Sequence, residues 1–195
     1  IYRCFRRADD FGRGLVGMSV SLIGFPEMSK YCQKLARETL SGKVQHFEHF
    51  FFNYQRYASS VLGSDANEIF SVRTEHLWED MTSINRILST ANNVEILPNV
   101  SPASKETENV RSYGQMPVAG TDLSELGRAA FCYGLHNEFV VYYEIILKSS
   151  NFSGRDVVSN MIEQSSICAD SMLSGKYQVN EAGGKTIEEL WESAS

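Results

Sequence analysis

The chain has 195 residues, a formal net charge of −6, and 43% hydrophobic and 22% charged residues. This length and composition suffice for one globular domain with its own core. The negative charge argues against binding nucleic acid through its phosphates, and no apolar run reaches the roughly 18–20 residues that span a bilayer. Because the chain starts at Ile1 without a signal-peptide pattern, we expect it to be a fragment of a longer protein.

Two helices are predicted in the first third of the chain. The first begins at Pro26, which fits the first turn of a helix, and ends near Gly42. Its predicted inner face consists of Met28, Tyr31, Leu35 and Thr39. The second helix, Val44 to Leu62, has apolar and aromatic residues at three- and four-residue steps, which indicates packing against a large surface. Residues 1–24 have no strong periodicity.

A strand followed by a helix is predicted in the middle of the chain. Residues 68–73 include β-branched and aromatic residues after a polar turn, which predicts a short strand, and a helix starts near Thr74. The predicted buried face of this helix consists of Leu77, Met81, Ile84 and Leu88. A strand and helix in tight succession are typical of a parallel sheet, whose other strands should lie upstream of Ile1. We therefore expect an α/β protein, of which this chain is mostly helical with one or few short parallel strands.

The last part of the chain is predicted to hold two helices and a tail. After a long loop over residues 92–120, Asp122 and Glu125 have the spacing of a capping box and open a helix that reaches Ile146. Ser153 and Asp156 open the next helix, which carries Val158, Met161, Ser165 and Met172. We expect one domain over residues 1–173 and an acidic, flexible tail over 174–195, with a short turn at Thr186 to Trp191.

Cysteines and glycosylation triplets bear on the compartment. The cysteines lie far apart, at Cys4, Cys32, Cys132 and Cys168. No C-x-x-C pair occurs, which excludes zinc-ribbon and thioredoxin-like sites, and we expect buried free thiols. Asn99-Val100-Ser101 and Asn151-Phe152-Ser153 permit glycosylation, so a Golgi lumen is slightly favoured over the cytoplasm.

Local motifs assign no reaction. His46 and His49 are three residues apart on a helix, but no third metal ligand is obvious, so we expect exposed histidines and no metal site. His136 is expected on a solvated face. The chain contains neither a G-x-x-x-x-G-K-[ST] phosphate loop nor a G-x-S-x-G nucleophile elbow.

A combination of segments resembles the sulfotransferase family. Residues 69–80 resemble its strand and following helix, and residues 51–57 resemble the helix that precedes that strand. Further along, Leu123-Ser124-Glu125-Leu126-Gly127-Arg128 resembles a helix start of the family, and residues 139–147 resemble the end of that helix. The matches occur in the family's order between Val44 and Asn151, so the chain resembles the C-terminal portion of a sulfotransferase.

The resemblance implies a P-loop NTPase-like three-layer sandwich in the parent protein. Its activity would be sulfuryl transfer from 3′-phosphoadenosine-5′-phosphosulfate, the co-substrate, to a hydroxyl or amine of a carbohydrate, protein or small molecule. Positioning and charge neutralisation by cationic groups and helix N-termini would drive the reaction. The loop that binds the phosphosulfate is absent from the chain, and the catalytic base cannot be assigned.

The same resemblance implies cofactor-binding residues. Arg13 and Ser21 have the eight-residue spacing of the family's 3′-phosphate site, although Gly14-Leu15 replaces the Asp-Pro that commonly follows the Arg. Ser19 or Arg6 could serve instead. Thr74 stands where a family Tyr approaches the adenine.

Lys105 and Arg111 lie in the long loop, where some family members place a basic contact to nucleotide or acceptor; solvated loop charges are the more common alternative. Two alternatives stay open. The first is a non-catalytic helical interaction module that docks through Val44 to Leu62. The second is a different P-loop transferase, such as a kinase for a small metabolite.

Overall fold

The computed structural model describes residues 4–5, 7–18, 26–41, 54–63, 68–73, 76–92 and 123–194. In these ranges the chain is mostly helical, as the sequence predicts. The sheet of this part of the chain is one antiparallel pair of two-residue strands, so the parallel sheet expected for the parent fold has no counterpart among the described residues.

The helices are α1 Ala8–Leu15, α2 Pro26–Leu40, α3 Tyr54–Leu62, α4 Leu77–Asn92, α5 Glu125–Gly134, α6 His136–Lys148, α7 Gly154–Ile167, α8 Asp170–Leu173 and α9 Ile187–Ser193. Strands β1 Gln178–Val179 and β2 Lys185–Thr186 flank one turn of 3-10 helix, Asn180–Ala182.

The main core lies where α1, α2, α5 and the C-terminal residues meet. Its most completely buried side chains include Leu15, Leu126, Val179 and Ile187. Helices α1 and α5 approach so closely that a Cβ atom added to Gly12 would lie 2.8 Å from the backbone of Gly127. Helix α1 lies in residues 1–24, where no helix was predicted, and it buries Phe11, Gly12 and Leu15.

Two disulfides join elements of this core, and the prediction of free thiols is wrong. Cys4 is bonded to Cys32 and Cys132 to Cys168, across 28 and 36 residues of sequence. Each pair joins segments that are distant in sequence and that only the fold brings together. The absence of a C-x-x-C pair therefore did not indicate whether the cysteines form disulfides. In the chain-entropy view, cross-links of this span stabilise a fold by about 3–4 kcal/mol each.

Helix α2 buries only part of the predicted face. Thr39 is buried and Leu35 packs against the core as predicted, but Tyr31 is 60% exposed, and Cys32 and Ala36 are buried as well. The buried positions follow the bond from Cys32 to Cys4, which turns this side of the helix toward α1. The hydroxyl of Thr39 has no hydrogen-bond partner although it is buried.

The predicted strand contacts a segment further along the chain. Ile69 forms a parallel bridge with Ser149, directly after α6, and the Ser150 amide donates to the Ile69 carbonyl at 2.8 Å. The described strand contact is therefore made within the chain. The helix that follows begins at Leu77, and Leu77 itself is 37% exposed rather than buried.

The last third differs from prediction in two ways. The single helix expected to open at Asp122 and Glu125 is two helices, α5 and α6, which separate at Leu135, and the N-cap is Ser124. The predicted flexible tail instead belongs to the core, because Val179, Ile187 and Leu190 are buried. Its predicted short turn at Thr186 to Trp191 is confirmed by α9, which Thr186 caps.

Candidate functional site

Arg13, predicted to bind the 3′-phosphate, forms two ion pairs within the protein. Its Nε donates to Asp9 at 3.0 Å, and its Nη2 donates to Glu181 at 2.6 Å, so α1 is linked to the 3-10 turn. Burial opposes the charged form, but the hydrogen bonds and charges of both carboxylates outweigh it and raise the pKa of Arg13. A phosphate at this position would have to compete with two carboxylates for the guanidinium.

Asp9 organises this corner of the core. Its Oδ1 accepts from the Ser124 amide at 2.8 Å and from the Ser124 hydroxyl at 2.5 Å, so a side chain of α1 covers the start of α5. Burial by itself would raise the pKa of Asp9, but the hydrogen bonds from Ser124 and Arg13 lower it below its ordinary value. Asp9 and Arg13 therefore form a polar link that holds α1 on α5.

The other predicted cofactor-binding residues, Ser21, Thr74 and Lys105, lie outside the described residues. The alternatives Ser19, Arg6 and Arg111 do so too. The described partners of Arg13 are Asp9 and Glu181, and the cofactor site stays a prediction.

A buried ion pair connects the extended segment to α4. Arg73 donates from Nε and Nη2 to the two carboxylate oxygens of Asp80 at 2.9 and 2.7 Å, and the Arg73 amide adds a third bond at 2.8 Å. The ring of Phe152 lies 4.7 Å from the guanidinium carbon. The hydrogen bond to Asp80 is the largest cause of the raised pKa of Arg73. All of these contacts are internal and fix the start of α4 against the residues before α7.

Asn151, the asparagine of a predicted glycosylation triplet, is buried and paired. Its Oδ1 accepts from the Ser71 amide, and its Nδ2 donates to the Ser71 carbonyl, both at 2.9 Å. A glycan on Nδ2 would have to replace one of these bonds in the folded protein. The structure therefore gives Asn151 a structural role, while Asn99 lies outside the described residues.

Helix α7 is attached to the rest of the protein at both ends and by two polar contacts between them. Asn151 pairs with Ser71 just before it, and Cys168 is bonded to Cys132 of α5 just after it. Between these ends, the fully buried Asn160 donates from Nδ2 to the Tyr142 hydroxyl at 3.0 Å. The fourth attachment, through Glu163, involves His76.

His76 lies between two carboxylates. Its Nδ1 is 2.8 Å from Oε2 of Glu79, one turn further along α4, and its Nε2 is 3.1 Å from Oε2 of Glu163 on α7. The hydrogen bond with Glu163 is the largest cause of the raised pKa of His76, followed by that with Glu79. Sequence reasoning did not weigh this histidine, although the i, i+3 spacing of His76 and Glu79 is visible in the sequence.

The outward face of α7 is apolar. Val158, Met161 and Ile162 are 56%, 44% and 65% exposed. At 100° per residue Val158 and Ile162 lie on the side of the helix opposite to Asn160, and Met161 lies at the edge of that side. Val158 and Met161 were predicted as apolar positions of this helix, and the structure places them on the surface, because the helix uses a polar residue for its inner contact.

Among the described residues, no group of three or more His, Cys, Asp or Glu side chains could hold a metal ion, and none of the helices there is long and apolar enough to cross a membrane. His46 and His49 lie outside these residues, and His136 is exposed, as expected. In comparisons with known proteins, no family model, curated protein or solved structure matches this chain.

Proposed function

We propose that this chain is a helical interaction domain that associates with a second copy of itself through the outward face of α7. The observation that carries the proposal is the exposed apolar stripe of Val158, Met161 and Ile162. Isolated exposed apolar residues are normal on protein surfaces, but a continuous stripe on one helix face is typical of an interaction site.

The spacing of the stripe supports a helical occupant. Val158, Met161 and Ile162 lie at positions i, i+3 and i+4 of α7, the spacing of one apolar helix face, which a second helix can cover. An α7 helix from a second copy has the matching spacing by construction, and two copies can then pair through the same patch about a twofold axis.

Charge restricts where two copies can meet. The chain carries a net charge of −6, so two copies repel each other over most approaches. Serines border the stripe, at Ser159, Ser165 and Ser166. The two acidic residues of α7 are engaged elsewhere, Asp156 in the capping box with Ser153 and Glu163 with His76. Two copies can therefore approach here without opposing carboxylates.

The two disulfides bear on the cellular compartment of the protein. Two disulfides that account for all four cysteines support an oxidising environment, such as the lumen of the secretory route. This agrees with the Golgi lumen that the sequence slightly favours, and it no longer depends on the glycosylation triplet at Asn151.

Sedimentation velocity over a range of protein concentrations tests the self-association. Stable interfaces use about 20–30 residues on each side, so a three-residue stripe should give a weak, concentration-dependent dimer. Ile162→Glu should abolish dimer formation, because it places a carboxylate in the seam. Asn137→Glu, which adds the same charge at an exposed position of α6 outside the stripe, is the control and should leave association almost unchanged.

A wild-type protein that stays monomeric at every concentration would reject the proposal, as would a dimer that persists in Ile162→Glu. Circular dichroism of each variant confirms that the helix content is unchanged, so that loss of association is not loss of fold.

The sulfotransferase hypothesis stays as the second candidate, supported by the order of the four matching segments between Val44 and Asn151. It requires the P-loop sandwich in the parent protein and 3′-phosphoadenosine-5′-phosphosulfate as co-substrate. Calorimetric binding of 3′-phosphoadenosine 5′-phosphate to the full-length protein, with ATP as control, tests it. Binding that weakens on Arg13→Ala would support the 3′-phosphate assignment, and no binding by a folded full-length protein would reject the hypothesis.

A further inference from the structure

We propose that His76 is a pH-dependent clamp, which ties the middle of α7 to the start of α4 when the imidazole is protonated and releases it when the imidazole is neutral. This inference concerns the fold itself and does not depend on self-association.

The geometry requires the protonated ring. Both ring nitrogens of His76 face carboxylate oxygens, at 2.8 Å to Glu79 and 3.1 Å to Glu163. A neutral imidazole has only one N–H, so it can donate to one of these carboxylates and must turn a lone pair toward the other. The imidazolium donates to both. Deprotonation therefore removes one hydrogen bond and adds a repulsive contact on one side of the ring.

Because Glu163 lies in the middle of α7, its contact with His76 affects how firmly that helix is held. The disulfide and the Asn151 pairing hold the two ends of the helix, and neither responds to pH near neutrality. Between them, Asn160 and Glu163 supply the polar contacts of the helix. Of these two, only the contact of Glu163 with His76 depends on a proton that exchanges between about pH 5 and 8.

The surrounding charges favour the protonated state. Glu79 faces His76 from α4 and Glu163 faces it from α7, while Arg73 of the extended segment opposes protonation. Arg73 is bound to Asp80 by two side-chain hydrogen bonds, so its charge is largely compensated. The net effect is a pKa of His76 above its ordinary value. A group whose pKa is raised on folding contributes stability below its unfolded pKa and loses it as pH rises through the folded pKa.

Hydrogen exchange of the α7 amides, measured by mass spectrometry on the intact, disulfide-bonded chain, tests the clamp. Wild type and His76→Gln are compared at about pH 5.5 and again at about pH 8, values that lie on either side of histidine titration; intrinsic exchange then cancels at each pH. At the lower pH we expect α7 of wild type to exchange about two- to fivefold more slowly than α7 of His76→Gln, as suits a partly exposed pair. At the higher pH the two proteins should exchange alike.

Two further variants separate a clamp from a general loss of packing. Glu163→Gln keeps the imidazole but weakens the bond to α7, so its α7 should exchange like that of His76→Gln at the lower pH, and the pKa of His76, followed by NMR, should fall. His136→Gln changes an exposed histidine at the start of α6 and should match wild type at both pH values.

Equal α7 exchange in wild type and His76→Gln at both pH values would overturn the proposal. So would an equal difference at both pH values, because it would mean that the ring acts by packing rather than by charge. Wild-type protection of α7 in Glu163→Gln at the lower pH would also overturn it.

Discussion

The side-chain amide of Asn151 pairs with both backbone polar groups of Ser71, as the backbone of a neighbouring strand would. The two bonds, each 2.9 Å, continue the contact that Ile69 makes with Ser149 and Ser150. A side chain thus extends a short parallel contact by one residue and connects the segment before α4 to the segment before α7.

Changing Asn151 to Asp should destabilise the protein. The new carboxylate cannot donate to the Ser71 carbonyl, and it would be buried opposite that oxygen. We expect a loss of about 1–3 kcal/mol in the free energy of unfolding, the usual penalty for an unsatisfied buried polar group, measured by urea denaturation. Asn137→Asp, at an exposed position of α6, is the control and should change stability little. Equal stability of both variants would contradict the role assigned to Asn151.

The disulfides predict both a chemical and an energetic result. Protein isolated from an oxidising compartment and then denatured without reductant should contain no free thiol, because all four cysteines are bonded. Replacing Cys132 and Cys168 together by Ala should lower the free energy of unfolding by about 3–4 kcal/mol. A thiol assay that finds four reactive cysteines in the non-reduced protein would contradict the pairing.

The sequence predicts those parts of the fold that depend on local periodicity and capping. Helix α2 starts at Pro26, and α7 starts at the predicted Ser153, whose capping box with Asp156 is present. Contacts between segments that are distant in sequence could not be predicted from local periodicity. The two disulfides, the Gly12–Gly127 crossing and the Ile69–Ser149 bridge each depend on residues that only the fold brings together.

The same limit applies to the candidate sites. Arg13 was chosen for its spacing to Ser21, yet its partners are Asp9, visible at i−4, and Glu181, which is 168 residues away. Val158 and Met161 were predicted as apolar residues of this helix, and apolar residues of a helix usually face the core. The inner contact of α7 is instead made by Asn160, and a polar residue in that position gives no hydrophobic signal.

The Arg73–Asp80 pair should be far more sensitive to loss of one partner than to loss of both. Asp80→Asn leaves a buried guanidinium uncompensated, and we expect a loss of about 3–5 kcal/mol. The double variant Arg73→Met with Asp80→Leu should recover much of that loss, since apolar replacements of buried pairs are often tolerated. The measurement is chemical denaturation of Asp80→Asn, and of a double-mutant cycle that consists of Arg73→Met, Asp80→Leu and the two together.

A surface pair in the same protein is the control for this cycle. Lys148 and Glu144 are 3.0 Å apart, with side chains 45% and 47% exposed. Glu144→Gln should cost less than about 1 kcal/mol, as for other exposed pairs. Equal losses for Asp80→Asn and Glu144→Gln would contradict the burial assigned to the Arg73 pair.

Gly12 should tolerate no side chain, whereas Gly154 should. A Cβ at Gly12 would meet the Cα and carbonyl oxygen of Gly127 at 2.8 Å, and neither backbone can move without separating α1 from α5. We expect Gly12→Ala to cost about 1–3 kcal/mol, the range for overpacking. At Gly154, the first residue of α7, nothing lies within 4 Å of the added atom, so Gly154→Ala should leave stability unchanged or slightly higher. Thermal denaturation of both variants checks the contrast.

Asp9 should make the stability of the protein depend on acidity. Burial by itself would raise the pKa of Asp9, but the bonds from Ser124 and Arg13 lower it below the ordinary value of an aspartate. A carboxyl group with a depressed folded pKa stabilises the protein above its unfolded pKa, and that contribution is lost as pH falls through the folded pKa.

Asp9→Asn should therefore flatten the fall of unfolding free energy on the acid side, without abolishing it, because Asp156 also has a lowered pKa. Glu68→Gln, at an exposed position, serves as control. An acid slope that is the same in wild type and Asp9→Asn would mean that the link between Asp9 and Ser124 does not hold α1 on α5 in solution.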